Sequence, residues 1–157
     1  MSGIKSRGQR RAAFIESAVQ MYDHLEDWYD QHPDATFGEI EAEARPQRRQ
    51  LMGQVLAVLI NGRDTGFRHE APLCKKCGEP MDFERYRPWT IYGLEGDTEL
   101  SRAYYVCPRC SGETFSPLDR KLELRADHWS EGAARVATRQ GLQAKSFDLA
   151  ADAYCDA

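Results

Sequence analysis

The sequence predicts an α+β chain: an N-terminal helical hairpin, a central β-hairpin clamped by cysteines, and short C-terminal helices. Three observations predict it. Apolar residues recur at helical spacing through the first sixty positions, on either side of a proline-marked break. Two Cys-x-x-Cys pairs, Cys74/Cys77 and Cys107/Cys110, bracket a stretch rich in aromatic and β-branched residues. A serine at 130 then precedes a helix-forming run, as an N-cap would.

Residues 1–10 carry basic charge without an apolar pattern and are expected to be a disordered tail. From Arg11 to about Gln31, Ile15, Ala18, Tyr22, Leu25 and Tyr29 alternate at spacings of three and four. Phe14, Met21 and Trp28 recur at seven beside them. This wide apolar stripe needs a partner, in the chain or in a second copy. His32-Pro33 breaks the helix, because the residue before a proline is pushed out of the helical region. Thr36 and Glu39 fit a capping box that starts the next one. Pro46 is expected to divide that helix into segments near 37–44 and 47–61. Asn61-Gly62 suits a left-handed cap. The hairpin thus occupies 11–62, and the charged, glycine-punctuated residues 63–73 read as a linker.

Within 74–126, strands are expected over Asp82–Tyr92 and Glu99–Val106, joined by a turn at Leu94-Glu95-Gly96-Asp97. Residues 111–117 read as a loop. In 127–157, the helix after Ser130 should stop at Gly141, and Ser146 should start another. Helix, glycine-containing turn and helix resembles half of a helix-turn-helix, although two ordinary packing helices fit the spacing better.

No apolar run approaches the length of a membrane span, and no apolar stretch follows the basic N-terminus to make a secretory signal. A soluble, cytoplasmic protein is the expectation. In that compartment cysteine pairs point to metal rather than to disulfides. Each Cys-x-x-Cys forms a tight turn that converges two sulfurs, and two such turns supply a tetrahedron, the geometry Zn²⁺ takes with thiolates. The module then reads as a zinc ribbon with Cys74, Cys77, Cys107 and Cys110 as ligands. Lys75, Lys76 and Arg109 lie inside the turns, where positive charge offsets the −2 charge of a Cys₄ zinc centre. A rubredoxin-type iron site and a redox-active pair of dithiols use the same ligands and stay open. Four thiolates close the coordination sphere, so a metal here would fold the module rather than perform chemistry. Cys155 stands apart as an ordinary free thiol.

No catalytic constellation accompanies it. His24, His32, His69 and His128 are scattered and read as surface or packing residues. The net charge is −4, but it is segregated. Residues 1–13 carry four basic and no acidic side chains, residues 14–44 nine acidic and no basic ones, and residues 45–76 seven basic and two acidic ones. A globally acidic protein can still offer a local basic surface. Arg45, Arg48 and Arg49, with Lys75, Lys76 and Arg109, are the candidate phosphate contacts for DNA. Solvated helix faces explain the same blocks. Tyr86, Trp89 and Tyr104 can stack on bases but fit the core of a small ribbon better.

The order of motifs carries a resemblance. His32-Pro33-Asp34-Ala35-Thr36-Phe37-Gly38-Glu39-Ile40-Glu41 is followed by Arg48-Arg49-Gln50-Leu51-Met52-Gly53 and the first cysteine pair. Then come Arg102-Ala103-Tyr104-Tyr105-Val106-Cys107-Pro108-Arg109-Cys110, Phe115-Ser116-Pro117-Leu118-Asp119 and His128-Trp129-Ser130-Glu131-Gly132, with Ser146-Phe147 after them. Over about residues 20–154 this resembles the N-terminal region of ISKra-family insertion-sequence transposases. The resemblance implies a recognition segment, zinc ribbon and basic helix included, for terminal inverted repeats or for transposase self-association. In that family a DDE-type catalytic domain follows, and this chain ends at Ala157 without it. A non-catalytic portion is therefore expected, either truncated or separately encoded. Its expected partners are DNA, a second copy or the full-length transposase.

Overall fold

A computed structural model describes residues 4–110 and 112–143. Its elements are α1 (Arg7–Gln31), α2 (Phe37–Asn61), β1 (Asp82–Ile91), β2 (Thr98–Val106), β3 (Thr114–Phe115), α3 (Pro117–Lys121) and α4 (Glu131–Gln143). The chain is α+β, with four helices among the described residues and a three-stranded antiparallel sheet in the order β1-β2-β3. Among the described residues no helix is long and apolar enough to cross a membrane.

The first helix begins earlier than expected. Ser6 and Gln9 form a reciprocal capping box, so residues 7–10 are helical rather than a disordered tail. The Lys5 amide donates to the carbonyl of Gly62 at 2.8 Å, and the Arg10 guanidinium reaches the same carbonyl at 3.3 Å. At the opposite end, the His24 ring meets the Glu43 carboxylate at 2.7 Å. These contacts set α1 and α2 antiparallel against each other.

Pro46 does not divide α2, which runs unbroken over 25 residues. A mid-helix proline costs about 3 kcal/mol through one lost N–H and a clash with the preceding turn. Both flanks offset that cost. The Thr36–Glu39 capping box fixes the start. Gln47, Gln50, Leu51 and Gln54 line a shared cleft with Ser17, Gln20 and Met21 of α1. Gly62 ends the helix in the right-handed region, at φ −75°, rather than as a left-handed cap. The Asn61 side chain turns to the sheet instead: its amide donates to the Glu99 carbonyl at 2.9 Å and accepts from the Ser101 N–H at 2.9 Å.

Those two bonds begin a covering of the β2 edge. The next is made by the supposed linker: Thr65 is buried, and its carbonyl accepts from the Ala103 N–H at 2.7 Å. β3 then pairs with Tyr105 and Val106. An unpaired sheet edge is a template for association, and here three different partners close it in succession. Residues 63–73 are thus a packed strap rather than a linker. Asp64 ties the strap down, accepting from the Gly66 N–H, Arg68 and Lys121. The Tyr105 hydroxyl accepts from the Arg68 N–H at 2.8 Å and donates to the Arg68 carbonyl at 3.3 Å.

β2 is consequently the central, buried strand, while β1 is largely exposed. Thr98, Leu100 and Arg102 are buried along one face of β2, and Ala103 and Tyr105 along the other. A bulge between Phe83 and Arg85 in β1 marks the change of register. Residues 111–117, read as a loop, contain β3 and the start of α3. α4 begins after Ser130, whose hydroxyl accepts from the Ala133 N–H at 3.1 Å, and it continues through Gly141 to Gln143. Glycine weakens a helix by about 1 kcal/mol without ending it. The expected second helix from Ser146 and Cys155 lie outside the described residues.

Candidate metal centre

The site is built by two turns at one end of the sheet. In the first, the Cys74 N–H donates to the Glu79 carbonyl and the Gly78 N–H to the Cys74 carbonyl, both at 2.8 Å. Gly78 takes φ +76°, a left-handed conformation that glycine adopts without strain. A bridge between Leu73 and Pro80 closes the turn. The second turn joins β2 to β3. The Cys107 N–H donates to the Glu113 carbonyl at 3.0 Å and the Glu113 N–H to the Cys110 carbonyl at 3.1 Å. Gly112, at φ +87°, plays the part of Gly78.

These turns bring the four sulfurs of Cys74, Cys77, Cys107 and Cys110 within 4.8 Å of one another. The Cys77 and Cys107 sulfurs stand 3.6 Å apart. A disulfide would need about 2.05 Å. A tetrahedral ion with metal–sulfur bonds of roughly 2.3 Å holds its sulfurs about 3.8 Å apart, so the geometry fits a metal. Cys74 and Cys107 are buried, Cys77 and Cys110 half-buried, and Met81, Ala103, Tyr105 and Phe115 pack around them. The thiols therefore sit in the core of the ribbon, and what holds them holds the core.

Their protonation is uneven. The backbone N–H groups of Cys77 and Lys76 point at the Cys74 sulfur and draw its pKa down to about 7. The Cys77 side chain and burial push the Cys110 thiol up to about 12. Four thiols this close cannot all ionise unless a cation joins them.

The basic residues expected at the site divide into two groups. Lys75, Lys76 and Arg109 are exposed at the cysteine turns. Lys76 pairs with Glu113 at 3.9 Å and Arg109 with Glu79 at 2.9 Å. Such surface pairs contribute little and exchange readily for other anions. Arg45, Arg48 and Arg49 lie on α2, which packs against the opposite end of the β1–β2 hairpin. Arg48 is exposed there. Arg49 instead donates to the carbonyls of Leu94 at 2.7 Å and Gly93 at 3.2 Å, fastening α2 to the hairpin turn. That is a structural role in place of a phosphate contact.

Sequence reasoning missed a second polar cluster. Arg102 is buried, forms an ion pair with Asp119, and lays its guanidinium 4.0 Å from the centre of the Trp89 ring. The His128 ring stacks on Trp89 at 3.7 Å, and its Nδ1 bonds the Thr90 carbonyl at 2.8 Å. Trp89 is therefore a packing residue, and so is His128. Tyr104 is covered by the Arg87 guanidinium at 3.7 Å, while Tyr86 stays on the surface. Replacing Arg102 by alanine should destabilise the chain by roughly 2 kcal/mol, since it removes a charged hydrogen bond from a partly buried pair. Lysine should not restore it, because it lacks the planar fork that both pairs and stacks. Urea unfolding of the two variants checks this.

No protein-family model, curated protein or solved structure matches the chain.

Proposed function

We propose that the chain is a zinc-bearing DNA-recognition module, the N-terminal portion of a transposase resembling the ISKra family, without catalytic activity of its own. The observation that carries the metal is the cluster of four sulfurs within 4.8 Å, all soft donors, which suits zinc over the harder divalent ions. Zinc closed by four thiolates would be structural. It would set the two turns rigidly, with Lys75, Lys76 and Arg109 displayed on them.

Those three side chains are the phosphate contacts of this reading, with Arg48 as a fourth on α2; Arg49, fastened to the hairpin turn, and Trp89, stacked on His128, are not among them. A gel shift tests it, with duplexes carrying the terminal inverted repeats of an ISKra-type element beside random duplexes. Binding should weaken steeply with salt, and the triple substitution Lys75→Ala, Lys76→Ala, Arg109→Ala should flatten the log–log slope by about 3, near 0.9 per lost contact. An absence of binding to either duplex at low salt overturns the reading.

A second reading is an assembly module that regulates a full-length transposase through mixed oligomers. The exposed apolar face of α1 favours it. Co-purification with a tagged full-length transposase tests it.

A further inference from the structure

The 25-residue helix α1 buries none of its side chains fully. Met21, which lines a cleft with Gln47, Gln50 and Leu51 of α2, and Trp28 are half-buried. On the adjoining face Ile15 is 48% exposed, Val19 51%, Tyr22 60% and Tyr29 48%. Ile15, Ala18, Tyr22, Leu25 and Tyr29 are spaced 3-4-3-4, the seam of a coiled coil. Within this seam Ala18 and Leu25 are half-buried, and Ile15, Tyr22 and Tyr29 remain exposed.

The charges say what covers them. α1 is basic where it begins (Arg7, Arg10, Arg11) and acidic where it ends (Asp23, Glu26, Asp27, Asp30). Both placements oppose the helix macrodipole, so neither stabilises α1 as a lone helix. α2 gives no relief. It runs antiparallel, so its acidic start (Glu39, Glu41, Glu43) lies beside the acidic end of α1, and Arg63 lies beside the basic end. The hairpin is therefore charged oppositely at its two ends. A second hairpin laid antiparallel on the first brings each end against its opposite; a parallel one brings like against like.

We infer that the α1 seam is the two-fold interface of an antiparallel homodimer. Side chains then match by size and charge. In the register that layers the seam on itself, Ile15 meets the second copy's Leu25, and the small Ala18 meets the bulky Tyr22. Arg11 meets Tyr29, next to Asp30. Val19 lies close to the axis and meets its own copy, as residues at a two-fold must. The two hairpins together make a four-helix bundle. This interface rests on the assembly reading of α1 but needs neither DNA nor a longer transposase.

The test uses the full chain loaded with zinc and free of DNA. Light scattering over a concentration series should show a dimer, and the pair Ile15→Glu with Tyr22→Glu should weaken it at least tenfold while zinc content stays unchanged. In a Cys155→Ser background, Val19→Cys should oxidise to a cross-linked dimer and Ile15→Cys should not, since antiparallel packing keeps the two copies of residue 15 far apart. A strict monomer at every concentration overturns the proposal, whether the chain's own residues 144–157 or another protein take the seam. Cross-linking through Ile15→Cys but not Val19→Cys overturns it in favour of parallel packing. If the homodimer fails and co-purification with a full-length transposase succeeds, the assembly reading stands without it.

Discussion

Stripping the metal, or replacing Cys107 by serine, is expected to unfold the ribbon over residues 73–116. Around the four sulfurs, the interior consists of Met81, Ala103, Tyr105 and Phe115. An interior that small does not outweigh the ordering of some forty residues without a staple. Structural zinc in comparable sites contributes on the order of 10 kcal/mol, so its loss should exceed any other single change to this chain. The Tyr105 hydroxyl also holds the strap, so the β2 edge should open along with the site. Near-ultraviolet circular dichroism and amide exchange at Ala103 would report this. A spectrum unchanged after proven metal loss would sink the structural role. Cys155→Ser should leave loading at full stoichiometry.

The same site predicts how loading depends on pH. Metal binds thiolates, so protons must leave. The Cys74 thiol, drawn down by backbone N–H groups, is the more readily ionised, whereas Cys110, pushed up by the Cys77 side chain and by burial, stays protonated until a metal binds. Affinity should therefore fall as pH falls. The fall should be steeper at the acid end, where Cys74 also holds its proton. Competition with a chromophoric chelator between pH 6 and 8 gives the slope.

Replacing Gly53 by alanine is expected to undock α2 from the sheet. A Cβ at Gly53 would stand 2.1 Å from the Asp97 carbonyl oxygen, and one at Gly96 would stand 1.9 Å from the Arg49 carbonyl oxygen. Helix and turn meet backbone to backbone, and backbone has no rotamer to move away. Gly96 also holds φ +135°, which only glycine adopts at ease. The substitution should cost about 3 kcal/mol, at the upper end of overpacking effects. It should spare zinc binding, since the cysteine turns lie at the other end of the hairpin. Gly38→Ala provides the control: nothing lies within 4 Å of its added methyl, and it should stabilise α2 by up to about 1 kcal/mol. Thermal unfolding followed by helix signal separates the two. Equal midpoints for Gly53→Ala and the parent chain would show that the backbone contact is not made.

Much of this arrangement is legible before folding. Cysteine spacing marks the ligands because two residues between thiols is the span of one tight turn. Thr36 and Ser130 mark helix starts because their hydroxyls meet backbone donors nearby in sequence. The β1–β2 hairpin shows in its aromatic and branched residues. Local pattern misleads where a distant surface decides. Pro46 signals a break, yet packing against α1 carries the helix through it. Thr65 and the two residues of β3 pair through backbone atoms, which leave no trace in side-chain order. Arg49 reads as a phosphate contact until the turn carbonyls it fastens come within reach.

The four thiols show the division most clearly. Sequence alone determined that they come in pairs and that the chain between the pairs forms strands, because turn, cap and strand preferences act over a few residues. Only the tertiary structure decided that the two pairs meet, that the strap and Asn61 seal β2, and that one face of α1 is left partly exposed. Those outcomes depend on which surfaces come to face each other, and no stretch of a few residues carries that information.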